Sequence, residues 1–408
     1  MNRNLIFLTM SRITDIERRG IYTDLLRGFR NEGWTLYIVT PHERSQGKPS
    51  ELVVKDDVHI LGVKTLNLQK TSTIEKGIGQ VLVEGQYKRA IKHFLRGIKI
   101  DLILYSTPPI TFSKVIVYLK AQNPQAISYL LLKDIFPQNA VDIGMMIKTG
   151  AKGFLYRFFR KKENKLYALS DYIGCMSSAN VAYLLKHNPE VDPARVEVAP
   201  NSIELIKTNS LDNSDRNASR TKYGLPTDKP VFIYGGNLGK PQGIPFLIDC
   251  LEANSLRGDC HFVVIGTGTE MSRLKCWYKE KHPKSVTVMD GLPKDEYDQF
   301  VRLCDVGLIF LDHRFTIPNF PSRLLAYIEN KMPVLVATDR NTDMGPIAEA
   351  NGFGYWCESN SVEAFTGIVD RMLSSDIQSM GEMGYKFLCE NYLVQNTYNA
   401  IIRHFGNN

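Results

Sequence analysis

The chain contains no apolar run of about 18 or more residues, so the sequence predicts no membrane-spanning helix. Its start, MNRNLIFLTMSR, holds too short an apolar stretch for a secretory signal and reads as a first strand. No two cysteines stand in C-x-x-C spacing, and their number, seven, is odd. That excludes a complete disulfide framework and a zinc ribbon, and points to the reduced thiols of a cytoplasmic protein. H-E-x-x-H, G-x-S-x-G and any Cys/His cluster are also missing, so neither a metal site nor a serine-hydrolase elbow is expected. Short repeats and low-complexity tracts are absent, which excludes a solenoid.

What is present fits a larger globular protein. A length of 408 residues exceeds one ordinary domain and suits two. The net charge of +7 favours an anionic partner: a nucleotide, a lipid phosphate, a membrane surface or nucleic acid. The basic residues match no nucleic-acid reader module, so nucleic acid is not the expected partner. Apolar strand candidates alternate with helical patterns: Leu5 to Thr9, Thr35 to Val39, Leu102 to Tyr105, Ile127 to Leu132 and Tyr172 to Met176. After a polar stretch, Lys207 to Arg220, read as a linker, the alternation restarts. Val231 to Tyr234, Phe262 to Ile265, Val286 to Met289, Val306 to Phe310 and Val334 to Ala337 are its strands, and the chain past Ser361 reads as helices. The expected fold class is α/β, two Rossmann-like, doubly wound parallel-sheet domains facing a cleft. Their bounds are 1–203 and 204–385, with 386–408 a terminal helix packing back toward the first domain.

In such sheets ligands meet the loops that follow the strands. Six segments stand out. Gly235 to Gly243 (GGNLGKPQG) runs from strand to helix and reads as a phosphate loop, with Lys240 adding charge, or as a chain-reversing turn. Gly266-Thr267-Gly268 leaves room for a flat base, or is a tight turn. In Ile317 to Tyr327, Ser322 is a candidate N-cap. Arg323 opposes the helix dipole, which points to an anion for it, the other reading being a solvated surface arginine. Asp134 ends an apolar strand and is the candidate catalytic carboxylate, the other reading being a helix cap. Arg19-Gly20 is a candidate phosphate contact on the acceptor side. Finally, in Ala151 to Ser170 the apolar Phe154, Leu155, Phe158, Phe159 and Leu166 recur at helical spacing. Lys152, Arg157, Arg160, Lys161, Lys162 and Lys165 crowd the same helix. It reads as a surface for anionic membrane, or as a packed helix with a solvated basic face.

Taken together these segments resemble family 4 glycosyltransferases, especially bacterial enzymes that build capsule, O-antigen or exopolysaccharide units. The motifs are Gly20 after the first strand, Asp134-x-x-Pro137, Pro200-Asn201-Ser202, the Gly235 to Gly243 loop and Phe320-Pro-Ser-Arg-Leu-Leu-Ala-Tyr327. The resemblance implies the GT-B fold and a retaining transferase. It implies a nucleotide-sugar donor, a UDP-sugar by family frequency, and a polyprenyl-diphosphate-linked saccharide acceptor. The protein would work at the cytoplasmic face of the membrane without a cofactor or metal. It places the donor diphosphate on Gly236, Asn237, Gly239, Lys240, Ser322 and Arg323, and the base and ribose near Thr267 and Gly268. Two departures stand out. The family's paired glutamates fall here on Pro318 and Ala326, leaving Glu329 as the substitute, and Gln242 replaces the usual lysine before Gly243. Those losses keep two alternatives open: a non-catalytic partner in a polysaccharide assembly complex, or a nucleotide-sugar epimerase on the same scaffold.

Overall fold

In the computed structural model the described residues are 3–68, 73–205 and 213–406. The chain forms two units: Met1–Glu204 with Val394–Asn408, and Leu205–Leu393.

The first unit is built on eight strands: β1 (Asn4–Leu8), β2 (Thr35–Glu43), β3 (Glu51–Lys55), β4 (Val58–Thr65), β5 (Leu102–Ser106), β6 (Ile127–Leu132), β7 (Tyr172–Cys175) and β8 (Val196–Val198). They lie in the order β3-β4-β2-β1-β5-β6-β7-β8, all parallel except β3, which pairs antiparallel with β4. The central runs are mostly apolar because helices cover both faces, and β5 is buried at every position, Ser106 included. The core joins Leu5, Phe7, Phe29, Trp34 and Leu104 to Tyr398 and Ile401 of the helix Val394–Ile402. That helix belongs to the first unit. The segment expected to return as one piece, 386–408, is divided: Lys386 to Asn391 close the helix Ile377–Asn391 of the second unit.

The second unit carries six parallel strands in the order β11-β10-β9-β12-β13-β14: β9 (Val231–Asn237), β10 (His261–Thr267), β11 (Val286–Asp290), β12 (Val306–Phe310), β13 (Val334–Thr338) and β14 (Gly354–Glu358). Phe232, Phe262, Phe310, Leu247 and Phe365 anchor its core. The strand order reverses between β9 and β12, and the loops leaving those two strands flank that point.

The expected linker is corrected here. Positions 207–212 lie outside the described residues, but Asn213–Lys222 is a helix. Its apolar content is too low to advertise it. It is held instead by arginines: Arg216 and Arg220 donate to Asp305 and to the carbonyls of Leu303 and its neighbours.

Candidate active site

In the second unit the turn after β9 is fixed by its neighbours. Leu238 N donates to Thr267 O at 2.9 Å, and Glu270 N donates to Leu238 O at 2.9 Å, so the loops after β9 and β10 are zipped together. Gly268 lies directly against the Leu238 backbone. Gln242, standing where a lysine was expected, braces the turn. Its Oε1 accepts from Asn237 Nδ2 at 2.8 Å and from Gly239 N at 3.2 Å. The predicted backbone cradle is therefore partly used internally, at Leu238 and Gly239. Gly236 stays exposed, with φ at 116°, a conformation that requires glycine. Asn237, Lys240, Thr267 and Gly268 are exposed at the same edge.

Arg323 is brought to this edge. Its guanidinium lies 4.3 Å over the Tyr234 ring. A β-carbon added at Gly236 would fall 3.7 Å from its Nη2. Its Nη1 is buried and has no hydrogen-bond partner. An unpaired guanidinium N–H out of water is costly unless an anion meets it, so this atom points to a ligand. Ser322 holds the N-cap position, but its backbone is already helical and its side chain accepts no bond from the helix, which corrects the expected cap. Glu329 is not brought to these loops. It lies at the far end of the helix Arg323–Glu329, about 9 Å along the axis from Arg323, beside Tyr385.

In the first unit Asp134 follows β6. Its Oδ1 accepts from Asn139 Nδ2 at 2.7 Å, and Thr107 Oγ1 braces its backbone on both sides. Desolvation raises its pKa to about 6, partly offset by the Asn139 bond. It is not a helix cap, since Pro137 holds that position for the helix Gln138–Asp142. Neighbouring Lys133, missed in the sequence reading, is pushed down to about 7 by burial and donates to Ala199 O at 3.2 Å.

At Arg19-Gly20 the backbone N–H is engaged within the chain. Gly20 N already donates to Asp24 Oδ1 at 2.9 Å, so the chain's own carboxylate fills the N-terminus of the helix Ile21–Asn31. Arg27 Nη2 donates to that oxygen at 2.7 Å, and Glu204 N to Asp24 Oδ2 at 3.1 Å. Arg19 leans on Glu204 O at 3.5 Å.

The basic helix is Phe154–Leu169. Phe159 and Leu166 are buried, but Phe154, Leu155 and Phe158 are exposed, with Met145 and Ile147 just before them. Lys152, Arg157 and Lys161 stand exposed. Arg160 and Lys162 are tied inward: Arg160 bonds Glu163 and Asn188, and Lys162 lies 3.7 Å from Glu84.

Residues 215–387 match the family model for glycosyl transferases group 1. The chain carries a group 1 glycosyltransferase domain. It is 22% identical over 329 residues to a probable glycosyltransferase, WbjE, of Pseudomonas aeruginosa, covering 79% of this chain and 78% of that one. Over 179 residues it is 25% identical to the putative colanic acid biosynthesis glycosyl transferase WcaI of Escherichia coli, 43% of each chain. Among solved structures it resembles sucrose-phosphate synthase from Thermosynechococcus elongatus, with a TM-score of 0.76 at 13% identity over 99% and 98% of the chains. Anabaena HepE in complex with UDP and glucose gives 0.68 at 12% identity, over 99% of both. The fold of this glycosyltransferase is therefore GT-B. Among the described residues no group of three or more His, Cys, Asp or Glu is placed to hold a metal ion, and no helix is long and apolar enough to cross a membrane.

Proposed function

We propose that the enzyme takes a sugar from a UDP-sugar and passes it, with retention, to a polyprenyl-diphosphate-linked saccharide during assembly of a bacterial surface polysaccharide. One observation carries the donor half of this reading: the buried, unpartnered Arg323 Nη1 beside the exposed Gly236 turn. A diphosphate seated there gains a charge-assisted bond that strengthens as the leaving group collects negative charge. The binding set offered is a guanidinium and polar loop atoms, and the proposal assigns it no metal. Thr267 and Gly268 receive the base. Asp134, with a pKa near 6, is the group for the acceptor hydroxyl, accepting or sharing its proton near neutral pH. Retention and the lipid-linked acceptor come from the family resemblance, supported by the names of WbjE and WcaI.

The exposed Phe154, Leu155 and Phe158, flanked by Lys152, Arg157 and Lys161, support a peripheral seat on the anionic inner face of the membrane.

The test is a thermal-shift panel with UDP, GDP, ADP, CMP and their common sugar derivatives. Ligand at about 100 times its dissociation constant stabilises by about 2.7 kcal/mol. A response to UDP and its sugars is expected. A response to another nucleotide alone changes the donor. No response to any leaves the absent glutamate pair decisive, and a non-catalytic partner becomes the better reading.

A further inference from the structure

The strand pairing that positions Arg323 contains a gap. β9 and β12 are neighbours, yet their register ends at Val306 with Phe232 and Gly307 with Ile233. Beyond that the strands part. The hydroxyl of Tyr327 occupies the parting: it accepts from Gly235 N at 3.1 Å and lies 3.2 Å from Ile233 O and 3.4 Å from Leu308 O. One phenol thus satisfies backbone groups on both strands where the ladder no longer does.

A second phenol completes the arrangement. Tyr297 comes from a different helix, Lys294–Val301, and its hydroxyl rests on Gly235, where an added β-carbon would fall 1.8 Å away. At Gly307 the same addition would fall 2.2 Å from the Tyr327 ring. Both glycines stand where a tyrosine enters the sheet edge, so the absence of side chains on β9 and β12 makes the room. Tyr234 is the third member. Its ring lies under the guanidinium, and its hydroxyl donates to Asn237 O at 2.7 Å, tying it to the turn.

Among the described residues no carboxylate forms an ion pair with Arg323, and phenols stand beside it instead. Burial works against its charged form, and Tyr234, Tyr327 and Tyr297 are the neighbouring groups that act on it. The distinction matters chemically. A carboxylate would hold the guanidinium by neutralising it and would compete with an anionic ligand. Aromatic faces and phenol oxygens hold it while leaving its charge and Nη1 for the ligand. In a chain lacking the paired glutamates at 318 and 326, this floor is what the second unit supplies around its phosphate-facing cation.

We propose that Tyr297 and Tyr327 are positioning residues for donor binding, which with Tyr234 form a floor aiming the Arg323 guanidinium at the donor diphosphate. The inference rests on the donor-site reading above. Tyr297 acts through Arg323, so its contribution vanishes when Arg323 is gone.

The experiment is a double-mutant cycle read by titration calorimetry. Wild type, Tyr297→Ala, Tyr297→Phe, Arg323→Ala and the Tyr297→Ala/Arg323→Ala double variant are titrated with UDP and with inorganic pyrophosphate, a base-free probe. Melting curves confirm that each variant is folded. Arg323→Ala is expected to weaken both probes at least tenfold, and Tyr297→Ala several-fold, with no further loss in the double variant. Tyr297→Phe, which keeps the ring, is expected to retain most of the affinity. Tyr327→Phe provides a second position and is expected to weaken both probes by removing the hydroxyl that spans the two strands. Equal losses from Tyr297→Ala with and without Arg323, or no loss from either tyrosine variant, overturn the positioning role. Equal affinity of wild type and Arg323→Ala, or no binding of either probe by wild type, overturns the donor-site reading and the inference with it.

Discussion

Each unit contains an aspartate clamped by arginine, Asp24 fully buried and Asp305 half-buried, but the two lie at opposite edges of their sheets. In the first unit Asp24 follows β1 and gathers Gly20 N, Arg27 and Glu204 N at the carboxyl edge, where ligands bind in such folds. In the second, Asp305 precedes β12 and gathers Arg216, Arg220 and Val231 N at the amino edge. The difference decides what each carboxyl edge offers. The first has spent a helix N-terminus and an arginine on its own carboxylate. The second keeps its ionic clamp away from the loops and leaves an unpaired guanidinium there. Asp305→Ala leaves the buried Arg220 without its carboxylate and is expected to cost about 3–5 kcal/mol in urea unfolding, whereas Asp24→Ala leaves Arg27 paired with Glu204 and is expected to cost less. Titration with UDP below the melting point sharpens the contrast. Affinity should survive Asp305→Ala, because that clamp lies at the other end of the strands. A large loss of affinity in that variant would erase the distinction between the edges.

At the carboxyl edge of the first unit two neighbouring groups answer to pH in opposite ways. Asp134 titrates near 6 in the folded protein against an ordinary value of 3.8. Between those values the folded state binds more protons than the unfolded one, so stability falls as pH rises from about 4 to about 6 and stays lower above. Lys133, at about 7 against 10.5, works the other way: the folded state holds fewer protons there, and stability recovers as pH climbs from 7 toward 10.5. Asp134→Asn should flatten the acid limb and, at pH 7, stabilise the protein by up to about 3 kcal/mol, the equivalent of the raised pKa. Unfolding midpoints at pH 4, 5, 6 and 7 measure this. An unchanged slope in the variant would show that Asp134 is an ordinary solvated carboxylate. The same substitution should also lower transfer, since a stabilising loss at a working site is the usual trade.

Arg323 makes the parallel case in the second unit. Arg323→Met removes a buried N–H with no partner, so the ligand-free protein should melt higher, while UDP affinity drops by about 1.5–3 kcal/mol. A lower melting point with unchanged affinity would make Arg323 a structural residue and return the second unit's edge to the pattern of the first.

How much of this was legible depended on where the signal lay. β6 and β12 were readable to the residue because both faces are covered and the runs are dominated by apolar residues. The pair β3–β4, at the sheet's edge, mixes charge with Leu52 and Val53 and gave no such run, and β14 hides in Gly-Tyr-Trp-Cys-Glu. The Gly235 to Gly243 loop announced itself by composition. The internal bond at Gly20 had a signal within reach: an acidic residue in the first helical turn, Asp24, competes for the same dipole. The helix Asn213–Lys222 was mistaken for linker because its anchors are arginines on carbonyls, which no hydrophobic pattern records. Tyr297 was beyond sequence reasoning, since only the tertiary fold carries its hydroxyl to Gly235.

The smallest expected effect lies on the surface of the first unit, in the helix Phe154–Leu169. Its basic residues divide by structure into two groups that the sequence treats alike. Lys152, in the turn just before it, and Arg157, Lys161 and Lys165 are exposed, whereas Arg160 and Lys162 hold Glu163, Asn188 and Glu84. Reversing the first group should weaken association with vesicles of anionic phospholipid by about 1 kcal/mol per residue at low salt, with the melting point unchanged. Reversing Arg160 or Lys162 should instead lower the melting point, because Glu163 and Glu84 are buried and lose their cations. Phe154→Ser with Phe158→Ser tests the apolar component, which salt does not screen. Vesicle binding that ignores both the exposed charges and the phenylalanines would mean the face is solvated, and would remove the membrane from this half of the enzyme.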